Sequence, residues 1–288
     1  MTRSSSNLLT FGLGVAAILA SASTARAQDP EAVRRQFMIT VPQAASGGTL
    51  AEYFRGAPGT NTGTPLAFGP AMGDVFFAGG YENKVRNAKL ANGSFGPDGL
   101  DDGSVSFGFG LGDANDLFGF ATVVTSLSPF KWGLGNQTAL SFQAFHNIDP
   151  TLAVAVGVES AIVSGGRQGA GDESYYAVVS KVFVQPSSSV SFLRALTMSV
   201  GAGNGRFRMI DDVRTNNKTI NAFGSVAALV HEQVSVIADY TGQDINVGLS
   251  VVPFKWLPVA ITPALADITG TASARARLII GAGFGLHF

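Results

Sequence analysis

The chain has no cysteine. That excludes disulfide staples, thiolate metal centres and attachment of a lipid through a thiol. Charge is scarce as well: Asp, Glu, Lys and Arg make up 14% of the residues, against about 25% in ordinary soluble domains. No basic excess exists. Arg3 and Arg26 are two of the 19 basic side chains, and the first 27 residues hold none of the 20 acidic ones. The remaining chain sits at about −3, which provides no electrostatic footprint for nucleic acid. Beyond residue 27 no run is apolar for 18 residues, so membrane-spanning helices are excluded. No HExxH or GxSxG occurs, and no Lys-Ser/Thr closes the glycine fragments GFGLG and GAGNG. Metal, cofactor and nucleotide chemistry therefore have no candidate ligands. The three histidines, His146, His231 and His287, stand in no legible Ser–His–acid arrangement.

What the chain does have is glycine, 36 residues of it, and alternation. Residues 1–27 read as an export signal: Arg3, then an apolar run from Leu8 to Leu19, then Ala25-Arg26-Ala27 as a small-x-small cleavage site. Residues 28–72 are weakly patterned and become Gly/Thr/Pro-rich from Gly56 to Pro70. That composition suits a periplasmic arm or a plug. From residue 73 to residue 288, segments of period two recur between turn residues. They cover 74–81, 104–111, 117–127, 138–147, 152–163, 174–184, 195–203, 219–230, 234–240, 244–252, 259–268 and 275–288. Period two places alternate side chains on opposite faces of a strand. One face is apolar; the other is small or polar. Connections alternate between long (82–103, 128–137, 164–173, 204–218) and tight (112–116, 148–151, 231–233), except that Gly242-Gln243 is very short where a long one is due. Pro263 falls within the eleventh segment and predicts a bulge or break.

The last segment, RARLIIGAGFGLHF, carries Ala276, Leu278, Ile280, Ala282, Phe284, Leu286 and Phe288 on one face. It resembles the closing strand of Gram-negative outer-membrane β-barrels, in which a terminal Phe after alternating apolar residues marks the chain for barrel assembly. The resemblance implies an all-β fold, a transmembrane antiparallel up-and-down barrel of about twelve strands. It also implies outer-membrane location, surrounding lipid, and contact with the barrel assembly machinery through Phe284, Leu286 and Phe288. Leu286 departs from the pattern, standing where such endings often hold an aromatic.

The face opposite the apolar one predicts a wet lumen. Its charged residues are read as pore-lining: Glu159, Lys181, Asp239, Asp244, Arg275 and Arg277. Opposed acids and bases would either filter solutes by charge or pair and fill the lumen. Aromatic girdles are expected from Phe76, Phe77, Phe118, Phe120, Phe145, Phe284 and Phe288 at the periplasmic rim. Tyr175, Tyr176, Tyr240 and Trp132 are expected at the outer rim. The loop Arg206–Arg214 is expected to be solvated, with folding into the pore or binding of surface lipopolysaccharide as the alternatives. The function these features predict is a non-enzymatic, passive pore for small hydrophilic solutes. The rival is a closed barrel that works through its outer loops. A third reading, a barrel hydrolase, would depend on His287.

Overall fold

A computed structural model describes residues 58–83, 101–127, 129–165, 173–184, 193–254, 256–271 and 276–288. The expected signal at 1–27 lies outside them. Twelve antiparallel strands close into one barrel, each paired with its sequence neighbours, and β12 returns to β1. They are β1 (Asp74–Glu82), β2 (Asp102–Gly112), β3 (Gly119–Leu127), β4 (Thr138–Asp149), β5 (Leu152–Ser164) and β6 (Ser174–Val184). Then follow β7 (Ala195–Gly203), β8 (Asn221–His231), β9 (Val234–Tyr240), β10 (Ile245–Val251), β11 (Val259–Ala266) and β12 (Arg277–His287). Two short helices interrupt the far-end connections: α1 (Pro129–Trp132) and α2 (Ile210–Thr215).

Asp74 pairs with His287, so both ends of the barrel wall lie at one rim, called here the near end. The β2–β3, β4–β5 and β8–β9 turns share it. The tetrapeptide PFKW occurs twice in the sequence, at 129–132 and 253–256, and the copies fall at opposite ends. Pro129–Trp132 forms α1 at the far end, and the second copy follows β10 at the near end.

Alternation decides which face each side chain takes. The outer face is apolar and exposed on every side of the barrel: Phe77, Phe107, Val124, Phe142, Val156, Tyr175, Val226, Val236, Leu249, Ile261 and Leu278. The inner face holds buried Ser180, Thr197, Ser199, Ser225, Ser235, Asp239, Asn246 and Ser250. A soluble barrel has the opposite distribution. Closure also removes the edge strand, whose unpaired N–H and C=O groups would be costly away from water.

Two irregularities have local causes. Opposite Ser141 the β4–β5 register shifts, and Ser160 takes a left-handed φ of 53°. Its N–H donates to Ser141 Oγ at 3.0 Å, as a bulge permits. Pro263 stays inside β11 and keeps its place opposite Ile280 of β12. On the β10 side the ladder lapses between Gly248/Ala264 and Val251/Ile261, around the residue that has no N–H to give.

Candidate functional site

The lumen contains chain. Residues 58–73 enter at the near end beside β9 and β10, rise, turn, and descend past β6 and β4 into β1. The ascending arm is held by Ser250 and Ser235. Gly59 N–H donates to Ser250 Oγ at 2.7 Å, and Ser235 Oγ donates to Gly59 O. The tip is held by Asp239 in the far half of β9. Its Oδ2 accepts from Thr62 N–H (2.9 Å), Thr62 Oγ1 (2.8 Å) and Gly63 N–H (2.8 Å). On the descending arm, Gln143 Nε2 donates to Leu66 O at 2.9 Å, and Ala67 N–H donates to Ser180 Oγ at 2.9 Å. Ser180 Oγ in turn lies 2.8 Å from Ser199 Oγ. Below this, Phe68 packs over buried Val182, Ala195 and Leu229.

Glycine makes the fit possible. A Cβ at Gly110 would strike the carbonyl oxygens of Pro70 and Ala71, and one at Gly108 would strike the Phe76 ring. At Gly248 it would sit 2.8 Å from Thr62 Cγ2. Of the GFGLG glycines, Gly110 thus seats the re-entrant loop against the wall, and Gly108 leaves room for the inward Phe76 ring of β1. Gly110→Val should lower barrel stability by about 1–3 kcal/mol through overpacking. The midpoint of urea unfolding in detergent, followed by heat-modifiable gel mobility, measures this; an unshifted midpoint would mean the loop lies elsewhere.

The far-end connection after β7 also turns inward, contrary to the expectation of a wholly solvated loop. Phe207 is fully buried and stacks on Phe223 at 4.4 Å, while Met209 and Val213 remain exposed. Arg206 meets Glu159 through two nitrogens: Nη2 donates to Oε1 at 2.7 Å, and Nε pairs with Oε2. Its Nη1 donates to Gly63 O at the loop tip, 2.7 Å away. Desolvation works against the guanidinium charge, but Glu159 outweighs it and holds the group above its ordinary pKa. Outer connection and inner loop are thus joined through one arginine.

The sequence-predicted lumen charges separate into three outcomes. Glu159, Asp239, Asp244 and Arg277 face inward, and each is engaged. Asp244 is 0% exposed at its side chain and meets Arg277 Nη2 at 3.1 Å; Arg277 Nη1 reaches Glu82 Oε2 at 2.7 Å. Glu159, Asp244 and Arg277 pair with opposite charges and Asp239 is held by the loop tip, so opposed free rows do not form among the described residues. Lys181 is a correction. It lies on the outer face at the near rim, bound to Thr151 Oγ1 (2.7 Å) and Asp149 Oδ2 (3.3 Å). Val178 and Val182, on the face opposite Lys181, take the inner positions, where they are buried beside the loop. Arg275 lies outside the described residues. Phe284 faces outward and stacks on Phe77 at 5.1 Å. Leu286 shares its face, and Phe288 N–H donates to Gly73 O at 3.0 Å.

The aromatics divide similarly. Tyr81, Tyr175 and Tyr240 lie on the outer face at the far rim, and Phe118 and Phe120 on that face near the other. Phe76, Phe145 and Tyr176 do not join a girdle; they point inward, where Phe145 and Tyr176 are buried beneath the loop. The Trp132 side chain lies outside the described residues. Of the histidines, His287 Nδ1 lies 2.7 Å from Asp74 Oδ1, tying the first strand to the last. His146 packs outward on Phe118, and His231 Nδ1 accepts from Gln233 N–H.

Beside the loop a cleft of about 640 Å³ remains. It follows the β3 wall from Ala121 near one rim to Leu127 at the other, bounded across by Ser141, Gln143 and Glu159. Sequence reasoning missed Gln143, Ser180 and Ser250, which fasten the loop that bounds the cleft, and Arg206, which lines it with Gln143. No charge pattern marked the first three.

No family model and no curated protein sequence matches this chain. Among solved structures, it is similar to an outer membrane channel of Pseudomonas putida F1, with 10% identity and a TM-score of 0.44 over 78% of this chain and 100% of that one. It is also similar to the outer membrane protein Omp33 of Acinetobacter baumannii, with 7% identity and a TM-score of 0.38 over 75% and 98% of the two chains. A weaker likeness reaches the attachment invasion locus protein Ail of Yersinia pestis, at 9% identity and a TM-score of 0.19 over 75% and 99%. Likeness at this level says nothing of what this chain does.

Proposed function

We propose that this chain is an outer-membrane barrel that passes small hydrophilic solutes through a lumen narrowed by its re-entrant loop. The observation that carries the reading is the axial cleft inside a barrel whose apolar residues face out. Lipid is the solvent that suits the outer face, because burying it against water-free hydrocarbon removes the penalty of exposure. Val226, at the middle of β8, is 40% exposed on that face. Val226→Arg should cost about 2–4 kcal/mol of folding into vesicles. A water-facing valine would tolerate the change within about 0.5 kcal/mol. Denaturant titration in lipid vesicles separates the two.

The cleft supports passage because its lining runs along most of β3, from Ala121 to Leu127. Conduction by the purified, folded barrel in a planar bilayer is the direct test. A second reading, a non-conducting barrel that works through its far-end connections, draws support from the loop itself, which is anchored to four different strands. Persistent silence in single-channel recordings of heat-modifiable protein would favour it. In either case the barrel is read as non-enzymatic, with the His287–Asp74 pair a fastening between the first and last strands.

A further inference from the structure

We infer that the cleft along β3–β5 passes uncharged, hydroxyl-bearing solutes in preference to ions; this rests on the pore reading above. Its volume, about 640 Å³, lies in the range of small-molecule sites. Among the described residues, Glu159 and Arg206 are the charged side chains that line it. They are joined to each other, and Arg206 spends a further N–H on Gly63 O. The lining therefore sums to zero charge and offers no unpaired counter-ion. Asp239 does not line the cleft; its Oδ2 is turned to the loop tip.

An ion entering this space would shed water and gain no opposite charge in return, which is costly in a narrow lumen. A neutral polyol meets different surroundings. Phe68, Phe76 and Tyr176 supply apolar ring faces, and Thr125 and Ser141 supply hydroxyls. Its carbon skeleton and its hydroxyls can both be accommodated. Free rows of like charge, which would draw ions in, are absent from the described lining.

Swelling of proteoliposomes containing the full-length barrel tests this with three probes of equal size: a neutral hexose, an amino-hexose cation and the corresponding aldonate anion. The hexose should enter about tenfold faster than either charged probe. Glu159→Gln, which leaves Arg206 without its acid, should raise the anion rate several-fold relative to the hexose. Glu159→Gln combined with Arg206→Gln restores a neutral lining and should return the original order. Equal rates for all three probes in the wild type, or a charged probe faster than the hexose, would overturn the inference and leave the pore reading standing. No entry of any probe through barrels shown to be folded by gel mobility would overturn the pore reading, and the inference with it.

Discussion

Deleting residues 60–70 should raise single-channel conductance several-fold. The loop occupies the middle of the lumen, with the cleft of about 640 Å³ on its β3–β5 side and a smaller space of about 210 Å³ towards β1. Removing it merges the two and adds its own volume. The wall it leaves is lined by hydroxyls and glycines and is held by its own ladders, so closure does not depend on the loop. Heat-modifiable mobility of the deletion variant checks that. A gentler version is Asp239→Ala. It strips three hydrogen bonds from the tip, each worth about 1.5–3 kcal/mol when made to a charged acceptor, though not additively. The contacts at Ser250, Ser180 and Gln143 remain. The expected record is therefore intermittent steps to the larger conductance and not a permanent rise. If the deletion variant folds and conducts no better than the parent, the cleft is not the pathway and the loop is not what narrows it.

The second large effect is a lock. The chain has no native cysteine, so an engineered pair has no competitor. A Cβ placed at Gly59 would lie 3.6 Å from Ser250 Cβ, within the spacing of about 3.5–4.5 Å found in disulfides. Gly59→Cys with Ser250→Cys should cross-link readily under mild oxidation. The bond would join positions 191 apart, a loop long enough for about 5 kcal/mol of stabilisation on the chain-entropy account. Boiled, non-reduced protein should then migrate faster than the reduced form, because the unfolded chain is tied into a ring. Failure to cross-link in folded barrels would show that the loop's ascending arm does not run along β10.

The strands were legible because lipid and lumen impose different demands on every second residue. β6, β7 and β9 begin and end where alternation alone places them. Glu159, Asp239, Asp244 and Arg277 were legible as inward for the same reason. Lys181 was not. Around it the inner positions Val178 and Val182 are as apolar as the outer ones, because the loop and the neighbouring strands enclose them. With both faces apolar, alternation carries no sign. Phe76, Phe145 and Tyr176 misled in the same way: a ring turned inward onto the loop looks, in sequence, like a ring turned outward to a membrane rim.

The barrel was set by local pattern: its strand number, the apolar face of most strands, and the end that holds most of the tight turns. Those properties are written residue by residue, since each side chain partitions by its own polarity. Occupation of the lumen and engagement of its charges followed from contacts between distant parts of the chain. The loop is fastened through backbone N–H and C=O groups of Gly59, Thr62, Gly63, Leu66 and Ala67, which nearly every residue type carries alike. Its partners lie from 77 to 191 positions away. A contact made by the part of a residue common to all residues, across that much chain, leaves no local mark to read.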